Sequence, residues 1–515
     1  MSLKTRNLKF FSASFSLALL FIFSLSSFSA SALTQVEVNP VNTPEGAVVL
    51  IVDGFSASYI YPELTPHALD GTSLEKARLE NIPKICEKSA RILEFRVPQT
   101  FTEGGNSVLI TGNPDADTEL VSFKDASYCD VLHKNGYICI AVMENGDFGS
   151  ICAEQDVLVR DANNSINDMK ITLEKYNHSS DTSEAPAVPE GLLKVLKDAA
   201  DKAPSYVKSK ETRERYSGYD RWGLDTACAI IRYMAANSPG QKYLLTVNLG
   251  AVDGSGHHRD NYGYVDCIEC LDADLSPLYE LCKKNDLAFV LTADHGMAFS
   301  KNGAKGGHQS KKLSAVEDTQ LVPLIMQAQD VKSGIIEGKH SQEDFAPTLL
   351  SILDIPDRPR FSKGKQIMLT GHTDLKVILP EKGSAELIRD GKQLASANND
   401  DQFLFLGLEP GSTYKIRAAL DSGKNLEEQE KEISHESDSV IEFQEQGHKE
   451  RESVQSESGS KGNANLQAGS SKVNSGTSGS SSFLSSISGN WIAYLLIGMI
   501  NLVGLVIIAK LLKKN

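Results

Sequence analysis

Apolar residues gather in short unbroken runs along this chain. Gly46-Ala-Val-Val-Leu-Ile-Val-Asp53-Gly54 has no polar residue until it closes on Asp-Gly. Without polar alternation such a run predicts a strand buried on both faces and ending at a loop. Tyr243-Leu-Leu-Thr-Val-Asn-Leu, Leu287-Ala-Phe-Val-Leu-Thr-Ala-Asp294 and Gln320-Leu-Val-Pro-Leu-Ile-Met326 repeat the pattern, and helical stretches at 223–237 and 266–284 lie between them. Strand and helix in alternation predict an α/β fold, a mostly parallel sheet sandwiched by helices. In such sheets, binding sites form outside the carboxyl ends of the strands.

The pattern changes at several points. Residues 155–220 are more polar and lack clear strand runs, which suggests an insertion or cap over the sheet. The α/β alternation ends near Leu353-Asp-Ile-Pro. From 374 to 418, Leu375-Lys-Val-Ile-Leu379, Ala385-Glu-Leu-Ile388 and Tyr414-Lys-Ile-Arg-Ala418 alternate with Gly and Asp turns, the pattern of a small β-sandwich. Half of the residues from 451 to 490 are serine or glycine, a flexible stalk. At the start, Lys4, Arg6 and Lys9 precede an apolar core from Phe15 to Leu25 and the small-residue site Ala30-Ser31-Ala32, which reads as a secretory signal peptide. Near the end, Trp491 to Ala509 carries no charge and is followed by Lys510, Lys513 and Lys514. That length suits one membrane span, with the lysines on the cytoplasmic side. The expected organisation is therefore a signal peptide at 1–32, a catalytic domain at 33–370 and a small β domain at 371–445. A stalk at 446–489, a transmembrane helix at 490–510 and a cytoplasmic tail at 511–515 complete it.

Composition narrows the function. The chain has 515 residues, 67 acidic against 52 basic, for a formal charge of −15. That balance argues against wrapping nucleic acid, which needs a basic surface. Eight cysteines in an exported chain could be structural thiols or disulfides, and Cys267-x-x-Cys270 alone does not make a zinc site. Asn163 and Asn177 begin Asn-x-Ser glycosylation acceptors. No solenoid repeat is present, and nothing in the pattern sets an oligomeric state.

The candidate chemistry sits at the ends of the apolar runs. The segments are Ile51-Val-Asp53-Gly54, Thr102-Glu-Gly-Gly-Asn-Ser-Val-Leu-Ile-Thr-Gly112, Asp253-Gly-Ser-Gly-His257, Thr292-Ala-Asp294-His295-Gly296-Met297 and Gly306-Gly307-His308. Taken singly, Asp53 or Thr102 could cap a turn or helix. Together they change the reading, because strand ends of one parallel sheet converge on one edge. Carboxylates and imidazoles gathered there need a cation among them.

These segments resemble the alkaline phosphatase superfamily over about 45–355, in particular its nucleotide pyrophosphatase/phosphodiesterase, phosphonoacetate hydrolase and cofactor-independent phosphoglycerate mutase branches. Thr-Ala-Asp294-His295-Gly-Met is the most specific match. The resemblance implies one metal held by Asp253, His257 and His308 and another by Asp53, Asp294 and His295, with Thr102 as nucleophile and further ligand. His340 competes with His308 for the last position, but Val322-Pro323 follows His308 as in several branches. His258 and His178 are read as non-ligands. Lys301 and Lys305, or the backbone N–H groups of Gly104, Gly105 and Asn106, could hold a phosphate oxygen.

Two divalent ions about 4 Å apart can clamp an in-line displacement. Asp/His donors without thiolate suit Zn²⁺, with Mn²⁺ as the alternative. The sulfatase pattern Cys/Ser-x-Pro-x-Arg is missing at Thr102. The expected activity is an extracellular, membrane-anchored phosphohydrolase acting on a phosphate monoester or diester, a small molecule or an envelope component, through a phospho-threonine intermediate. A transferase moving phospho-groups onto envelope glycans or lipids is one alternative. An inactive surface binding protein on the same fold is the other.

Overall fold

The computed structural model describes residues 33–444 apart from 146–147, 177, 179–185 and 421–427. The signal peptide, stalk, apolar segment Trp491–Ala509, tail and Asn177 acceptor lie outside the described residues. Among the described residues, no helix is long and apolar enough to cross a membrane.

The continuous apolar runs form the centre of a nine-stranded sheet. In spatial order its strands are Gly334–Ser341, Ala90–Arg96, Leu321–Gln327, Leu287–Thr292, Gly46–Val52, Tyr243–Leu249, Ile138–Met143, Val157–Asp161 and Ile171–Lys175. Gly46–Val52 pairs in parallel with Tyr243–Leu249 on one side and Leu287–Thr292 on the other. All seven of its residues are buried, as are those of Tyr243–Leu249, which is why neither strand alternates polar and apolar positions. Leu321–Gln327 runs antiparallel to both neighbours, so Ala90–Arg96 beyond it points the same way as the central strands. The carboxyl ends of Ala90–Arg96, Leu287–Thr292, Gly46–Val52, Tyr243–Leu249 and Ile138–Met143 consequently share one edge.

Two expectations need correction. The segment 155–220 is not simply a cap. Val157–Asp161 and Ile171–Lys175 extend the sheet at one margin, and the helix Glu190–Val207 packs against the long helix Thr212–Asn237. These strands are short, five residues each, and Ile171–Lys175 is largely half-exposed, so the apolar pattern carries no mark of them. The five strands after residue 372 are hydrogen-bonded into one sheet and not two separately bonded ones. Thr373–Arg389 and Lys392–Leu408 run its whole length and change register between Ile378 and Gly383. This sheet has its own core, with Phe403, Phe405, Tyr414 and Ile416 at its centre. It also recruits Thr34–Glu37, which pairs in parallel with Phe403–Leu406. Residues at the start of the expected catalytic domain therefore belong to the β domain. The eight cysteines are free thiols, and Cys267 and Cys270 sit on the helix Asn261–Lys284, in no metal-binding cluster.

Candidate metal centre

Five chain segments meet at the shared edge. Asp53 follows Gly46–Val52 directly, and Asp294-His295 follow Leu287–Thr292 after one alanine. The turn after Asp53 needs glycine. Gly54 has φ +70°, and a Cβ there would stand 2.9 Å from the Asp253 Cβ. Asp253 and His257 lie one turn apart on the helix Ala251–His258, which begins just beyond Tyr243–Leu249. His308 follows the two-residue strand Gly306–Gly307. Thr102 is the first residue of the helix Thr102–Thr111, which starts beyond Ala90–Arg96.

The side chains form two adjoining donor sets. In one, Asp53, Asp294 and His295 are wholly buried, and the His295 Nε2 lies 3.4 Å from Asp53 Oδ1 and 3.8 Å from Asp294 Oδ2. In the other, the Asp253 Oδ1 lies 3.4 Å from His257 Nε2 and 3.5 Å from His308 Nε2. The His295 and His308 rings stack at 3.7 Å between centroids and join the two sets. The Thr102 Oγ1 stands 3.2 Å from His295 Nε2. His340, the competitor of His308, is on the edge strand Gly334–Ser341, with its Nε2 3.3 Å from the Glu337 carbonyl and its Nδ1 3.9 Å from Asp344, away from both donor sets. His258 is exposed, and His178 stacks on His133. Lys301 and Lys305 are exposed too.

The residues fit a pair of divalent cations. Asp53 Oδ1 and Asp253 Oδ1 are buried without a hydrogen-bond partner, a costly arrangement for carboxylates with no cation nearby. The His257 and His308 Nε2 atoms face each other at 2.9 Å, where two lone pairs would repel. Backbone carbonyls fix the ring tautomers. His308 Nδ1 donates to the Thr100 carbonyl at 2.7 Å and His295 Nδ1 to the Gly296 carbonyl at 3.1 Å, which leaves both Nε2 lone pairs turned into the site. Burial, helped by His295, pushes His308 down to about 4, and burial also lowers His295, so both rings are neutral as ligands must be. Burial and the neighbouring carboxylates raise Asp53 well above the usual range and Asp294 to about 7. Burial pushes Asp253 the same way, but His257, His295 and His308 outweigh it and hold it low. Oxygen and imidazole donors without thiolate match Zn²⁺ or Mn²⁺.

Several positioning residues carry no mark in the sequence pattern. Asn145, just beyond Ile138–Met143, donates to Asp53 Oδ2, and its own N–H is held by Asn248 Oδ1 at 2.8 Å. Asn106 donates to Asp294 Oδ2 at 3.1 Å and to the Thr102 carbonyl at 2.9 Å, tying the helix headed by Thr102 to the candidate metal donors. Glu144 and Asp220 accept from the Gly250 and Ala251 N–H groups at 3.0 Å each and anchor the start of the helix that carries Asp253. Both carboxyls are buried, and only their place after an apolar run marks Glu144 and Asn145. A cavity of about 710 Å³ opens beside Asp253 and His257, walled by Asn167, Arg215, Tyr216 and Arg259. Three of these come from the segment expected to be a cap.

Fold and site together define a candidate metalloenzyme, with two adjoining sets of Asp and His donors at the carboxyl edge of the sheet. The chain belongs to the metalloenzyme superfamily, whose family model matches residues 46–356. It is similar to the phosphopentomutase of Aeromonas hydrophila, 28% identical over 295 residues, 56% of this chain and 67% of that protein. It is also similar to the 2,3-bisphosphoglycerate-independent phosphoglycerate mutase of Onchocerca volvulus, 29% identical over 124 residues, 24% of this chain and 23% of that protein. The chain spans about a quarter of the length of several of the curated relatives it matches. Among solved structures, the alkaline phosphatase PafA aligns at 13% identity and a TM-score of 0.44, covering 64% of this chain and 100% of that one.

Proposed function

We propose that the protein is a two-metal phosphohydrolase that attacks a phosphate monoester or diester with Thr102. The observation that carries this reading is the place of the Thr102 hydroxyl, at the head of a helix and 3.2 Å from His295 Nε2, where both donor sets meet. Asp53, Asp294 and His295 would hold one cation, and Asp253, His257 and His308 the other. When bound, the metals would lower the pKa of a coordinated hydroxyl and neutralise charge on the phosphoryl oxygens.

The chain's own residues supply position. Asn106 holds the first turn of the nucleophile's helix against Asp294, so the Thr102 Oγ1 keeps its distance from the donors. The N–H groups at the start of that helix favour an anion in front of them. Attack by Thr102 Oγ1 on phosphorus would form the P–O bond of a phospho-threonine and break the ester bond, with the alcohol leaving. Attack by water would then return the threonine. The cavity with Arg215 and Arg259 in its wall is placed to receive the leaving group, and the buried Arg215 Nε has no partner.

Thr102→Ala should lower turnover of chromogenic phosphate mono- and diesters by at least about 10³-fold while bound metal is retained, and Thr102→Ser should recover much of it. Alanine turnover within tenfold of wild type would remove the threonine from the chemistry. A second reading, phosphoryl transfer to an acceptor alcohol, is favoured by the mutase names of the relatives, and product analysis with and without an acceptor separates the two. The proposed setting is the cell exterior, with Trp491–Ala509 as anchor. Loss of the ectodomain to protease added to intact cells checks it.

A further inference from the structure

Far from the metal centre in sequence and in donor set, a second group of acidic side chains lies where the α/β part meets the β domain. Asp354 follows the helix Phe345–Ile352 in a left-handed conformation, φ +55°. His372 and Asp374 flank the first residue of Thr373–Arg389, and Asp438 stands in the turn before Ser439–Glu442. The ligating atoms of Asp354, His372 and Asp374 lie within 4.8 Å of one another. His372 Nε2 is 3.0 Å from Asp354 Oδ1, and the other Asp354 oxygen accepts from the Thr43 hydroxyl.

The remaining carboxylates are each satisfied on one oxygen only. Asp374 Oδ1 accepts from the Gly407 N–H at 2.9 Å, and Asp438 Oδ1 accepts from the Asp374 N–H at 2.9 Å. Asp374 Oδ2 and Asp438 Oδ2 have no hydrogen-bond partner, although the two residues are only 1% and 5% exposed. Among the described residues, no lysine or arginine pairs with any of the three carboxylates.

We propose that Asp354, His372, Asp374 and Asp438 form a separate structural site for a divalent cation, which fastens the β domain to the α/β domain. Three carboxylates and one imidazole without thiolate suit Mn²⁺ best, with Ca²⁺ and Zn²⁺ as the neighbouring chemistries. The ion joins segments from three places in the chain. Its binding free energy therefore adds to the stability of the domain junction and not to turnover.

The test uses the full chain, stripped with a chelator and reloaded separately with Mn²⁺, Ca²⁺ or Zn²⁺ alone, with bound metal measured per chain. Wild type is expected to hold about three ions in at least one arm, and Asp374→Asn one fewer, with turnover of the loaded enzyme unchanged. A second measurement follows thermal unfolding in an Asp53→Asn/Asp253→Asn background, which lacks donors at the other centre. Metal should still raise its Tm, and adding Asp438→Asn should abolish that rise. This second comparison keeps the site testable if Asp374→Asn does not fold. Wild type holding no more than two ions in every arm overturns the proposal. So does a metal response of Tm that survives Asp438→Asn. An Asp374→Asn protein more stable than wild type without metal, at unchanged stoichiometry, would mean that the carboxyls share protons instead, and it also overturns the site.

Discussion

Gly105→Ala isolates the part of the site that depends on close backbone approach. Gly105 lies in the first turn of the helix Thr102–Thr111, three residues after Thr102, the proposed nucleophile, and a Cβ there would stand 2.2 Å from the Asp294 carbonyl oxygen and 2.8 Å from its carbonyl carbon. Ordinary contact begins at 3.4 Å, so helix and loop must separate by about 1.2 Å, the difference 3.4 − 2.2. The Asp294 carbonyl is not free to retreat, because Gln342 Nε2 donates to it at 3.0 Å and to the Ala293 carbonyl at 3.1 Å. The helix must move, and Thr102 moves with it. A displacement of about 1 Å at a reacting group costs roughly 100-fold in rate, or about 2.7 kcal/mol of barrier. At an unhindered helical position the same substitution would stabilise by about 0.4–1 kcal/mol, so even the sign of the stability change is informative. Here overpacking should cost about 1–3 kcal/mol instead. Gly104→Ala is the control, since the atoms nearest its Cβ are the side-chain ends of Gln99 and Phe101, so the strain falls on Gln99 and its bonds to the Pro114 and Ala116 carbonyls and not on the Asp294 backbone. The assay is kcat on a chromogenic phosphoester, with metal content and thermal unfolding measured on the same samples. If Gly105→Ala keeps kcat within threefold and Tm at or above wild type, the close approach does not set the position of Thr102.

Further outcomes follow from the same geometry. Asn145→Leu removes the donor to Asp53 Oδ2 and should weaken metal binding about 10- to 100-fold, with kcat at saturating metal reduced far less; unchanged affinity in a metal titration would deny Asn145 its positioning role. Burial raises Glu144 and pushes Asp220 up to about 7, so the folded pair keeps a proton that the unfolded chain releases near pH 4. That proton is bound more tightly in the folded state, and stability should therefore fall as pH rises from about 4 to 7. Asp220→Asn should flatten this dependence and become relatively more stable at pH 8, by up to about 4 kcal/mol for a three-unit shift; parallel urea-unfolding curves at pH 5 and pH 8 for variant and wild type would contradict it.

How much of this could be read from the residues depends on burial. Gly46–Val52, Tyr243–Leu249 and Leu287–Thr292 announce themselves because both faces of each are covered, and an unbroken apolar run has few other uses. Asp53, Asp253, Asp294 and His295 are legible because they stand within a few residues of the ends of such runs. Ile171–Lys175 is a half-exposed margin strand and leaves no such pattern. Thr34–Glu37 pairs with residues some 370 positions later, and local periodicity says nothing about a partner that far away. Asn106 and Asn145 act through one or two side-chain hydrogen bonds each, and the Asp354, His372, Asp374 and Asp438 group is assembled only when the chain folds.

The strand Thr34–Glu37 also sets how the molecule would bear a pull. The described chain enters through this strand and leaves through Ser439–Glu442, and both belong to the β domain's sheet. The candidate site residues, from Asp53 to His308, lie on the excursion between them. The pairing sets Thr34 level with Phe403 and Glu442 level with Gln402, at the same end of the sheet, so tension applied across the two ends would pull across the strands and open their pairs one after another. The β domain's sheet would then yield first, and the strand ends that carry the candidate metal donors would lie outside the path of the force.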